Sequence, residues 1–172
     1  MKTIIAAITI ITTILITATD TEASHKPDGK WQHEMSVDEF DDTQEHRVWH
    51  ITKVDGFEMF IYASCVAGTF GRFQFHSPER LDDRDTMRVR IDNLPAETIT
   101  ITKSSTGDYD WISMLSDADI ETITSGMLTA KKVRFEIFKK PLTPLVVSPN
   151  LEGFREAWEH VKPHCYPAEQ SE

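Results

Sequence analysis

The chain has 172 residues, 28 acidic against 18 basic, and a formal net charge of −10 at pH 7. A balance this acidic argues against nucleic acid as a partner, because nonspecific phosphate binding needs a net positive face. The length suits a single domain with one core.

In chain order, Lys2 supplies a short positive region, and Ile4 to Ala18 is almost free of charge. That apolar run is short for a bilayer span, and Asp20 and Glu22 close it. Residues 1–23 are therefore expected to be a cleavable signal peptide, cut after Ala23 or, as a second candidate, near Ala18. No cysteine lies near the cut to carry a lipid, so no stable membrane anchor is expected after cleavage. The expected location is the periplasm or the outside of the cell. In that compartment the two cysteines, Cys65 and Cys165, are expected to form one disulfide.

Residues 24–30 are polar, with Pro27 and Gly29, and read as a flexible lead-in. A single globular domain is expected over 31–166 and a tail over 167–172. Within the domain, period-2 alternation predicts strands. Phe57, Met59, Ile61, Ala63 and Cys65 share one face, with Glu58 and Ser64 on the other. Met87, Val89 and Ile91 alternate with Arg88, Arg90 and Asp92. Ile99 and Ile101 alternate with threonines, and Val133, Phe135 and Ile137 with Lys132, Arg134 and Glu136. Weaker strands are expected over 47–54, 70–75, 110–114 and 143–147. Asp55-Gly56 is a strong hairpin signal.

Two segments switch to helical spacing. Ile120, Ile123, Met127 and Leu128 follow Ser116-Asp117-Ala118-Asp119, a capping pattern with acids at the positive helix end. Leu151, Phe154, Trp158 and Val161 form a second stripe. Ser148 is its expected N-cap, Pro149 its first residue, and Pro163 its stop. The expected fold is α+β: a mainly antiparallel β-sheet or sandwich with two helices. The C-terminal helix is stapled to the sheet by Cys65–Cys165.

Motifs for chemistry are sparse. His46 and His50 are four apart, as are His160 and His164, but no HExxH or clustered Cys/His signature accompanies them. They are expected to be solvated or hydrogen-bonded surface histidines, with no metal and no cofactor. No GxSxG elbow or phosphate-cradling loop is present, and no catalytic residue is assigned. The carboxylates at 38–42 and 82–85 lack the pattern of a calcium loop. Trp49 and Ile51, with Phe60 and Tyr62, lie on sheet faces opposite to Cys65. Left bare they would make a patch for a partner, but the two helices are expected to cover them.

The order of residues carries a resemblance. Trp31, Ser36 and Asp41-Asp42 open the domain. Cys65 follows an aromatic strand, then comes Val89-Arg90-Ile91-Asp92-Asn93-Leu94-Pro95-Ala96. Leu151-Glu152-Gly153-Phe154-Arg155-Glu156-Ala157 precedes the closing Cys165. This order resembles the VasI/TagO family of exported accessory proteins associated with type VI secretion. The resemblance implies a non-enzymatic β-rich domain acting through a protein partner in the cell envelope. Arg90 and Asp92 join Trp49, Phe60 and Tyr62 as interaction residues on this view. One alternative is a small inhibitor or immunity protein against a cell-wall hydrolase or toxin, whose basic charge would complement this chain. A carboxylate-based hydrolase ranks last.

Overall fold

The computed structural model describes residues 29–38, 40–66 and 68–165. The expected signal peptide and tail lie outside these residues. Nine strands and two helices follow in chain order: β1 Gln32–Val37, β2 Gln44–Val54, β3 Phe57–Val66, β4 Thr69–Ser77, β5 Thr86–Ile91, β6 Glu97–Thr106, β7 Tyr109–Met114, α1 Asp117–Thr129, β8 Val133–Lys139, β9 Thr143–Val147 and α2 Phe154–Cys165. The expected α+β class, the antiparallel sheet and the helix staple are all present.

The strands form one antiparallel sheet in the order β1-β2-β3-β4-β7-β6-β5-β8-β9. Asp55 and Gly56 both have positive φ, 49° and 90°, as a two-residue primed turn requires. That turn fixes the β2–β3 register, which pairs Val54 with Phe57, Trp49 with Tyr62 and His46 with Cys65. β6 is where the sheet folds over. Its residues from Ile101 to Thr106 pair with β7, and those from Glu97 to Thr100 pair with β5. The two halves face each other across an aromatic core, where Phe73 and Phe75 of β4 meet Phe135 of β8 at 5.8 and 4.9 Å.

α1 is capped as its sequence predicts: the Ser116 hydroxyl accepts from the Asp119 N–H, and Ile120, Ile123 and Met127 are buried. Gly126 sits directly against Ile91, where a Cβ would collide with that side chain. α2 departs from expectation at both ends. It begins at Phe154, not after Ser148, and Leu151 lies outside it. The cause is non-local. Trp31 donates its indole N–H to the Asn150 carbonyl at 2.7 Å and its backbone N–H to the Glu152 carbonyl at 3.1 Å. Those carbonyls serve Trp31, so this stretch does not wind into a helix. Gly153 then turns the chain with φ +80°, where a Cβ would press on the Lys30 side chain and the Trp31 backbone. Pro163 does not stop the helix either, which runs on to Cys165. In the last turn a proline forfeits one bond, to the exposed Glu159 carbonyl, and the disulfide holds the turn in place.

Cys65 and Cys165 are joined, with Cα atoms 5.0 Å apart across a sequence separation of 100. Both are buried, and Phe154, Trp158 and Val161 of α2 enter the core beside them. Such a bridge is at home in an oxidising compartment. Among the described residues no helix is long and apolar enough to cross a membrane.

The fold-over corner is held by a charge. Asp110 of β7 is 1% exposed. Its carboxylate accepts from the Ser105 hydroxyl at 2.6 Å and the Leu81 N–H at 2.8 Å. Arg80 at 3.0 Å and Lys103 at 3.1 Å complete the set. Burial alone would raise this carboxyl, but the Ser105, Leu81, Lys103 and Arg80 donors outweigh it and hold it at about 2.

Candidate binding face and histidine stack

The helices do not cover the Trp49–Tyr62 face. Cys65 lies on the Ile61 and Ala63 face of β3, so the bridge draws α2 to that side. Trp31 and His46 meet the helix there, and His50 stacks on Trp31. The expectation that both helices shield the aromatic patch is therefore corrected. Trp49, Phe60 and Tyr62 come together as half-buried walls of an open cleft of about 260 Å3. Ile51, on the same face of β2, is buried.

Three further residues complete the cleft: Glu34, Arg47 and His76. Arg47 meets both carboxylate oxygens of Glu34 through one guanidinium edge, Nη2 at 3.2 Å and Nε at 3.3 Å. At the floor, Tyr62 donates its hydroxyl proton to the Gln74 side-chain carbonyl. The same oxygen lies 2.7 Å from His76 Nε2, so with its proton committed it accepts from an Nε2–H. The Gln74 amide donates in turn to the Ser113 hydroxyl. Burial raises the Tyr62 phenol, and burial, then Arg47, lowers His76. The row is thus a fixed array of polar groups between aromatic walls, with His76 beside Trp111 at 5.4 Å. Residue spacing places Arg47 on the Trp49 face. The positions of Gln74 and His76 depend on β4, whose register shifts at the irregularity between Ser64 and Cys65.

Arg90 and Asp92 are elsewhere, at the end of β5. Asp92 has an architectural job. It adopts φ 48°, and its carboxylate accepts from the Lys131 and Lys132 N–H groups at 2.9 and 2.8 Å, tying the β5 end to the start of β8. It does not pair with Arg90. Arg90 is exposed on the outer face of the sheet, in register with Arg134.

Of the four histidines expected at the surface, His160 and His164 are exposed, but His46 and His50 are not. His46 is 7% and His50 1% exposed, so neither is a surface residue. His33, His46, His160 and His164 form one stack between β1, β2 and α2. His33 lies 5.2 Å from His160 and 6.1 Å from His46, and His46 lies 3.4 Å from His164. All three ring pairs are within 16° of parallel. Parallel rings do not aim their nitrogens at one point, and among the described residues no group of three donors is arranged to hold a metal. Among those residues both His46 nitrogens are buried without a hydrogen-bond partner.

Burial, then His160 and His164, lowers His33, while Glu34 opposes. Burial, then His164 and His33, lowers His46. Both groups take up protons more readily in the unfolded chain. Stability should therefore be full above the unfolded value near 6.5 and fall as pH drops from there through the lower folded values. The melting midpoint should drop between pH 8 and pH 5, and His46→Phe, which keeps an aromatic ring but cannot charge, should flatten that drop. An unaltered drop in the variant would move the effect away from His46, to His33 or His76.

The cleft combines aromatic walls, an arginine–glutamate pair and a polar floor on a face that neither α1 nor α2 shields, an arrangement suited to holding a partner's side chain or a small polar group. No protein-family model, no curated protein and no solved structure matches the chain.

Proposed function

We propose that this is an exported accessory domain that binds a protein partner in the cell envelope, with type VI secretion the system to which its sequence resemblance points. The observation that carries the reading is the uncovered cleft: Trp49, Phe60 and Tyr62 gathered around the Arg47–Glu34 pair. Aromatic residues and arginine are the side chains that most often dominate binding energy at interfaces. The buried disulfide supports export, and the acidic balance supports a basic partner surface.

A second reading, an inhibitor of a cell-wall hydrolase or toxin, rests on the same cleft and the same charge. A carboxylate-based hydrolase gains little. Among the described residues Asp110 is the buried carboxylate, and four donors occupy it.

A photo-crosslinker placed at Phe60 in the exported protein tests the choice. Cross-linking to a secretion-apparatus component supports the accessory reading, whereas a basic muramidase as the main product supports the inhibitor. Trp49→Ala should weaken the purified complex about 30-fold, the size of an interface hot spot. An unchanged dissociation constant would remove the cleft from the interface.

A further inference from the structure

On the opposite half of the sheet, three arginines gather in an otherwise acidic protein. Arg88, Arg90 and Arg134 line a cleft of about 190 Å3 on the outer face of β5 and β8, with Ala96, Glu136 and Val146. The register puts Arg88 opposite Glu136 and Arg90 directly opposite Arg134. The first pair is neutralised by an ion pair at 3.1 Å. The second sets two like charges opposite each other on adjacent strands, which is unfavourable unless something lies between them. Their donors are also under-used. Arg134 reaches the Asp92 carbonyl at 3.2 Å with one terminal nitrogen, while its Nε is buried with no partner among the described residues. Arg90 is exposed.

We infer that Arg90 and Arg134 form a binding site for a dianionic tetrahedral oxyanion, a phosphate or sulfate group. With Arg88 and Glu136 cancelling, the cleft carries two uncompensated positive charges, which a dianion neutralises. Two guanidinium forks supply paired N–H donors that match the edges of such a group. Val146 and Ala96 line the rest of the cleft. This site lies outside the aromatic cleft and does not depend on the function proposed for it.

Titration calorimetry of the exported protein at constant ionic strength tests it, with inorganic phosphate, sulfate and acetate as probes. Saturable one-site binding of phosphate or sulfate is expected, with acetate weaker. Phosphate affinity should rise from pH 6 to pH 8 as the probe becomes dianionic, whereas sulfate affinity should stay level over that range; the stronger of the two at pH 8 identifies the group. Arg90→Gln, an exposed position, should weaken binding about tenfold or more. Arg134→Lys, which keeps the charge and loses the fork, should also weaken it. Arg72→Gln on β4 is the control for net charge and should leave binding unchanged. Absence of saturation with both dianions would overturn the inference, as would an equal loss in Arg72→Gln and Arg90→Gln.

Discussion

Asp110→Ala is expected to destabilise the domain by about 1–3 kcal/mol, the cost of leaving a buried donor without its acceptor. The carboxylate sits at the corner where the sheet folds over, and four donors converge on it. Their fates differ when it goes. Arg80 is 59% exposed and returns to water, but the Lys103 side chain is only 14% exposed. Lys103 keeps the Leu81 carbonyl at 2.6 Å and the Asp83 carboxylate at 2.8 Å, so its charge is not stranded. The Leu81 N–H has no such alternative in its buried position. Asp110→Asn separates charge from geometry: it keeps an acceptor for Leu81 and should cost less than alanine. The acid dependence follows from the same site. Asp110 is held at about 2, below its ordinary 3.8, so the folded chain resists protonation more than the unfolded chain. Its stabilisation is complete above about pH 4 and is lost as pH falls toward 2, amounting to roughly 2 kcal/mol. Urea unfolding of the wild type and both variants at pH 7 and pH 3 would measure both effects. Equal midpoints for wild type and alanine variant at pH 7 would mean that the corner is not held by this charge.

The legible parts of this fold are those that local rules determine. Asp55-Gly56 sets the β2–β3 register, so the meeting of Trp49 with Tyr62 and of His46 with Cys65 was available from the sequence. The disulfide also carried more information than expected. Cys65 and Tyr62 lie on opposite faces of β3, so a bridge to α2 places the helix away from the aromatic patch. Coverage of that patch was thus excluded by the same staple that the sequence predicted. Other features depended on partners distant in the chain. β1 is largely exposed and shows little inward alternation, and its place at the sheet edge comes from pairing with β2. Without that register, His33 cannot be set beside His46. The α2 start followed Trp31 rather than Ser148 and Pro149, because an indole more than a hundred residues away claimed the carbonyl at Asn150. Cap signals are local, and a buried donor from another element overrode them.

Cys165→Ala should lower stability by about 2–5 kcal/mol, the usual cost of losing a native bridge. The bridge closes a sequence separation of 100, and the chain-entropy model gives nearly 5 kcal/mol for a loop of about that length. The packing around it sets where the measured value falls. Phe154, Trp158 and Val161 still bury against the sheet without the bond, so α2 should stay docked under native conditions and the loss should appear mainly as easier unfolding. Cys65→Ala should cost a similar amount, and the double variant little more than either, because one cross-link is lost in all three. Full additivity of the two singles would show that side-chain packing, not the cross-link, dominates. The nonreduced protein should yield a Cys65–Cys165 peptide pair by mass spectrometry, and two alkylatable thiols would sink the assignment. The histidine stack supplies a further signature. His46 pairs in register with Cys65, and His164 precedes Cys165, so the bridge clamps the closest ring pair together. Protonating His46 places a poorly solvated charge in that ring pair, and in the wild type the bond resists the opening that would relieve it. The destabilisation on going from pH 8 to pH 5 should therefore cause more local opening of α2 in Cys165→Ala, read as faster amide exchange along 154–165. Identical exchange in the two proteins at pH 5 would show that the apolar stripe alone holds the helix against its charged neighbours.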